Sequence, residues 1–174
     1  MKIWFTSDTH FGHRNIIRYC KRPFKDLKDM NKRIIRNWNA RIKEGDMVFH
    51  LGDFCFRNSS GNKGEGINKK AEYWLSKLNG NIIVVRGNHD KNNSMNTPIK
   101  KIELRYGGKD ILLTHDPLEF TKREKKRFDL LLCGHVHEAW KKTESKIINV
   151  GVDVWNFMPV SFEQILKEAN KPCR

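Results

Sequence analysis

A mixed α/β fold is what the sequence predicts, and three observations predict it. Short apolar runs alternate with amphipathic segments along the chain, polar phrases rich in His, Asp and Asn follow directly after the apolar runs, and the later half is rich in strand signals. The alternation argues for an α/β sheet, and the strand-rich half for pairings that are not all parallel. Ligands of such sheets usually bind at the edge just beyond the strands, which is where the polar phrases stand.

Each element has its own signal. Ile3 to Phe5 begin a first strand. From about 26 to 43, Leu27, Met30, Ile34, Trp38 and Ile42 recur at three- and four-residue steps, one face of a helix, with Asp26 placed to cap its start and Gly45 to end it. Met47 to Phe49 form a buried strand closing on His50-Leu51-Gly52-Asp53. The polar stretch 57–66 reads as a loop, 67–78 as a helix, and Ile82 to Val85 as a strand leading into Arg86-Gly87-Asn88-His89-Asp90. Residues 91–98 are again loop. Two strands around Tyr106-Gly-Gly-Lys-Asp110 form a hairpin whose second arm, Ile111 to Leu113, delivers His115. Leu130 to Leu132 and Ile147 to Val150 are further strands, and 162–169 a closing helix.

The bulk properties bound the answer. A length of 174 residues suits one domain, 1–174, and 38% hydrophobic residues with ten Phe and five Trp suit a packed core. A formal charge of +14 favours an anionic partner, with nucleotides or nucleic acid as the natural candidates. Cysteines at 20, 55, 133 and 173 form neither a disulfide framework nor a zinc-ribbon pattern. With no signal-peptide pattern and no apolar stretch of membrane-spanning length, the expectation is a soluble cytoplasmic protein without a membrane partner. The oligomeric state is not legible.

The chemistry lies in five phrases: Asp8-Thr-His10, Leu-Gly-Asp53, Gly-Asn88-His89-Asp90, Thr-His115-Asp and Cys-Gly-His135-Val-His137, which hold five of the seven histidines. Taken singly, a histidine at a strand end is more often structural than ligating. Together, neutral imidazoles and carboxylates are the ligands a first-row divalent metal takes, and two such ions about 3.5–4 Å apart clamp an in-line displacement at phosphorus. In this order the phrases resemble the calcineurin-like metallophosphoesterase superfamily, over Asp8 to His137, three quarters of the chain. The resemblance implies a four-layer αββα sandwich of two mixed sheets flanked by helices, and a dinuclear centre that hydrolyses phosphoesters through a bridging hydroxide. Carried over, Asp8, His10 and His137 hold one ion, Asn88, His115 and His135 the other, and Asp53 bridges them. Mn is the foremost metal, with Fe, Zn, Ni or Co also accepted by such ligands.

His89 adjoins a ligand without being one and is the expected general acid, with Asp90 orienting it and favouring its imidazolium. His13, Arg57 and Lys63 are candidate substrate contacts. His50 reads as a core residue or a support behind the ligands, and Asn149 and Asp153 as turn residues, with hydrogen bonds behind the ligands as the alternative. The run Lys122, Arg123, Lys125, Lys126, Arg127 reads as a solvated helix face rather than a binding patch. The expected activity is hydrolysis of phosphodiesters of nucleotides or nucleic acid. Phosphomonoesters, phosphoproteins and nucleotide pyrophosphates use the same metals and stay open, as does a non-catalytic scaffold of the same fold. A nucleic-acid module with a merely structural metal is disfavoured, since such sites are closed and Cys-rich.

Overall fold

The computed structural model describes residues 1–57, 67–144 and 146–172. In chain order its elements are β1 (Ile3–Thr6), α1 (Asn15–Tyr19), α2 (Leu27–Asn39), β2 (Met47–His50), α3 (Ala71–Leu75), β3 (Asn81–Val84), β4 (Lys101–Tyr106), β5 (Lys109–Thr114), α4 (Lys122–Arg127), β6 (Leu130–Cys133), β7 (Lys142–Thr143), β8 (Ile147–Asn149), β9 (Val160–Ser161) and α5 (Phe162–Ala169). They build two mixed sheets, of order β3-β2-β1-β9 and β4-β5-β6-β8-β7. In the first, β1, β2 and β3 are parallel and β9 antiparallel; in the second, β5, β6 and β8 are parallel, with β4 and β7 antiparallel at its edges.

Residue alternation along each strand assigns the layers. Phe5, Phe49, Ile111, Leu113, Leu130, Leu132 and Ile148 face one another in the core between the sheets, joined by Phe162 and Ile165 of α5. Their neighbours point outward: Trp4 and Val48 pack with Trp38 of α2, while Leu112, Leu131 and Ile147 pack with Phe120 and Phe128 on either side of α4. The two mixed sheets with helices match the sandwich that the resemblance implies. No helix among the described residues is long and apolar enough to cross a membrane.

The helix predicted over 26–43 ends earlier, at Asn39. Asp26 caps its start, its carboxylate accepting from the Asp29 amide at 2.8 Å. Gly45 does not end it. Instead the chain leaves the helix after Ala40, and the Asp46 carboxylate takes the amides of Lys43 and Lys2 and the Trp4 indole, stapling the helix exit to β1. The helix predicted over 67–78 is shorter too, Ala71–Leu75. α4 buries no residue and pairs Lys125 with Glu144 and Arg127 with Glu103, as expected of a solvated face.

Candidate metal centre

The carboxyl ends of the parallel strands converge on one edge. Beyond β1 the Asp8 amide donates to the Gly52 carbonyl at 3.0 Å, and the Val152 amide donates to Ser7 at 3.0 Å, closing a bridge between Ser7 and Gly151 that joins the ends of the two sheets. The loops after β1, β2, β3, β5 and β6 therefore project into one space. They turn sharply to do so. Asp8, His10, Asp53, His135 and His137 all have left-handed φ, between 44° and 71°, a conformation that costs a non-glycine residue about 1–3 kcal/mol. Two glycines let the loops close. A Cβ on Gly134 would stand 2.0 Å from Ser7 Oγ and 2.5 Å from Asp8 Oδ2, and one on Gly87 would stand 2.2 Å from Asp53 Oδ1.

The structure brings all seven predicted ligands together. Ligand atoms of Asp8, His10 and His137 lie within 4.8 Å of one another, as do those of Asp8, Asp53 and His115. Asp53 Oδ2 stands 3.6 Å from His10 Nε2 and 3.6 Å from His115 Nε2, midway between the two halves. Asn88 Oδ1 lies 3.0 Å from His115 Nε2 and 3.1 Å from His135 Nδ1.

These residues fit divalent ions on three grounds. His10 Nε2 is buried without a hydrogen-bond partner, although it faces a carboxylate. His115 Nδ1 donates to the Leu51 carbonyl at 2.7 Å, so in the neutral ring Nε2 is a bare lone pair aimed at Asn88 Oδ1, another acceptor. Two acceptors at that distance share no proton; a cation between them satisfies both. Finally, burial raises the Asp8 carboxyl above its usual range, only partly offset by the nearby imidazoles of His115 and His137. Imidazole nitrogens, carboxylates and one amide oxygen form a donor set suited to first-row divalent metals.

Behind the ligands lies a second layer. His137 Nδ1 donates to Asp153 Oδ2 at 3.2 Å, which leaves Nε2 for a metal. Burial opposes a charge on this ring, yet the hydrogen bonds to Asp153 and Cys20 carry it up to about 10. Asp153 is gripped in turn by Arg22, whose Nε and Nη2 donate to its two oxygens at 2.8 and 2.9 Å. The same buried guanidinium donates to the carbonyls of Asp8 and Thr9 at 2.7 and 3.2 Å. Asp153 is thus a partner of His137 with a buried side chain, the alternative to the turn role. Asn149 is both: it donates to the carbonyls of His137 and Trp140 and accepts from the Gly151 amide. Arg22 was missed altogether.

The remaining expectations divide. His89 is half-exposed, its Nε2 3.9 Å from Asp53 Oδ2 and its amide donating to Asp53 Oδ1 at 3.0 Å. The expectation that Asp90 orients His89 is corrected. Asp90 is fully buried and accepts the amides of Gly87, Asp53 and Phe54 at 2.7–2.9 Å, so it locks the β2 and β3 loops together. His13 lines the site, with Nδ1 3.4 Å from His10 Nδ1 and its ring stacked on Phe56 at 4.3 Å. Burial, then the charge of His89, lowers His13 to about 4. His50 is a buried brace that hydrogen-bonds Thr9 Oγ1 at 2.9 Å, and burial lowers it to about 3. Arg57 is not brought to the ligands; its guanidinium donates to Asn68 at 3.0 Å. Lys63 lies outside the described residues.

Comparison with known proteins gives the family. The chain is 40% identical over 177 residues to the uncharacterized protein MJ1445 of Methanocaldococcus jannaschii, covering 98% of this chain and 92% of that protein. It is 27% identical over 188 residues to the Gene 66 protein of Mycobacterium phage D29, covering 88% and 89%. Among solved structures, the protein of unknown function AQ665 from Aquifex aeolicus superposes with a TM-score of 0.69 at 28% identity, covering 95% of this chain and 98% of that one. Residues 1–159 match the family model described as the calcineurin-like phosphoesterase superfamily domain, and the chain belongs to that superfamily.

Proposed function

We propose that this chain is a metal-dependent phosphoesterase with a dinuclear centre, acting on phosphodiesters of nucleotides or nucleic acid. The observation that carries the reading is the position of Asp53 Oδ2, 3.6 Å from an imidazole of each half-site. Asp8, His10 and His137 would hold one ion and Asn88, His115 and His135 the other, with Asp53 shared and Mn the foremost metal. Two divalent ions supply an activated water and positive charge for the phosphoryl oxygens.

The chain's own residues do the rest. Arg22, Asp153, Leu51 and Asn149 fix the ligand rings before substrate arrives. Asn88 contributes a neutral oxygen in place of a third carboxylate, so the centre stays attractive to a phosphate. His89, half-exposed beside Asp53, donates a proton to the leaving oxygen. Asn88 and His89 are both exposed, leaving the mouth open to a bulky substrate, and a net charge of +14 favours a polyanion.

The test is hydrolysis of a panel of monoesters and diesters with added Mn²⁺, before and after chelation. Diester turnover that disappears with chelator and returns with Mn²⁺ is expected. Turnover confined to monoesters would overturn the substrate class, and none with any divalent metal would overturn the enzyme.

A further inference from the structure

A cavity of about 630 Å³ lies between α2 and α3. Lys28 and Lys32 line it from successive turns of α2, Tyr73 and Lys77 from the α3 side, and Arg14 at one end, and all five are exposed. Among the described residues Asp26 is the one carboxylate on its wall, and it is engaged as the cap of α2. The Tyr73 ring is flanked by two ammonium groups, Lys69 at 4.9 Å and Lys77 at 4.6 Å from its centroid. Buried Trp74 underlies the cavity, stacked on Phe11 at 5.3 Å.

The cavity is built on the same loop as the metal centre. His10 faces Asp53, the Gly12 amide donates to Asn31 of the cavity wall at 3.1 Å, and Arg14 lines the cavity itself. On the Asn88 and His115 side of the centre, Arg86 and Lys100 share their cavity with Asp116 and Glu119, so among the described lining residues the α2–α3 cavity is the more basic of the two.

We infer that the α2–α3 groove is a track for single-stranded nucleic acid, which feeds a polymeric substrate to the His10 side of the centre. Lys28, Lys32 and Arg14 follow the phosphate backbone, and a base stacks on Tyr73 in place of the Lys77 ammonium, which moves from the ring to a phosphate. A duplex keeps its base faces covered and gives Tyr73 nothing to stack on, which selects an unpaired strand. The inference rests on the diesterase reading for the polymer's role as substrate.

The test measures fluorescence anisotropy of labelled single-stranded and duplex oligonucleotides with the full chain in chelator, alongside turnover of a small chromogenic diester in Mn²⁺. Tyr73→Ala should weaken single-strand affinity about 5- to 150-fold, the usual worth of one stacked base, and Tyr73→Phe should restore it. Lys28→Glu with Lys32→Glu should flatten the salt dependence of binding between about 50 and 200 mM. Small-diester turnover should be the same in all three variants. Variants that bind the single strand as the wild type does, or a wild type that prefers duplex, would overturn the track while leaving the phosphoesterase reading intact. Tyr73-dependent binding without diester turnover under any metal would support the track and overturn the phosphoesterase instead.

Discussion

His89 and Asp153 stand on opposite sides of the ligand rings and make separable claims. Among the described residues no hydrogen bond of an assigned ligand passes through the His89 imidazole; its amide donates to Asp53 Oδ1 and its carbonyl accepts from Asn93 Nδ2. His89→Ala should therefore keep its metal while kcat falls about 10²- to 10⁴-fold, checked by elemental analysis beside steady-state kinetics. Loss of metal from that variant would move His89 into the ligand set. Asp153 makes the converse claim. It takes the Nδ1 proton of His137, and it is held rigid by two bonds from Arg22. Asp153→Asn should lower metal affinity about 10- to 100-fold, measured by competition with a chromogenic chelator, with a smaller effect on turnover once metal is saturating. Unchanged affinity would reduce Asp153 to a partner of Arg22 alone.

At the scale of elements, what could be read in advance follows from how locally each was specified. The four-residue strands β1, β2 and β6 are apolar runs, and α2 has a side-chain cap and a full apolar face, so all were visible. The two-residue strands β7 and β9 and the uncapped five-residue α1 carry almost no local pattern; they exist because a neighbouring strand or core is already in place. The site divides in the same way. The predicted ligands are legible because they stand just beyond strands in five phrases whose order resembles that of the superfamily. Arg22 is not, because its carboxylate partner lies 131 residues away and nothing in Cys-Lys-Arg-Pro marks it. Asp90 was misjudged for a related reason: adjacency to His89 in sequence suggested a pair, while the fold turns its carboxylate onto three backbone amides.

At the scale of the whole molecule, each proposed half-site draws on both sheets. Asp8 and His10 follow β1 while His137 follows β6; Asn88 follows β3 while His115 and His135 follow β5 and β6. An ion in either place therefore ties one sheet to the other, and the folded state alone has the site. Binding then stabilises by mass action, about 2.7 kcal/mol at a hundredfold excess over Kd, or about 5–11 °C for a chain of this size. Differential scanning fluorimetry should show Tm rising with Mn²⁺, and Asp53→Asn should flatten that rise. A Tm indifferent to every divalent metal would count against the centre. Divided ownership of the ligands also has a meaning in time. As the chain is synthesised from its amino end, Asp8, His10, Asp53 and Asn88 emerge without a complete half-site among them, and the last ligand to appear is His137. On the proposed ligand set, metal capture would accordingly come late in the life of the nascent chain, once the second sheet has docked. A fragment ending before that sheet would hold Asp8, His10, Asp53 and Asn88 and complete neither proposed half-site.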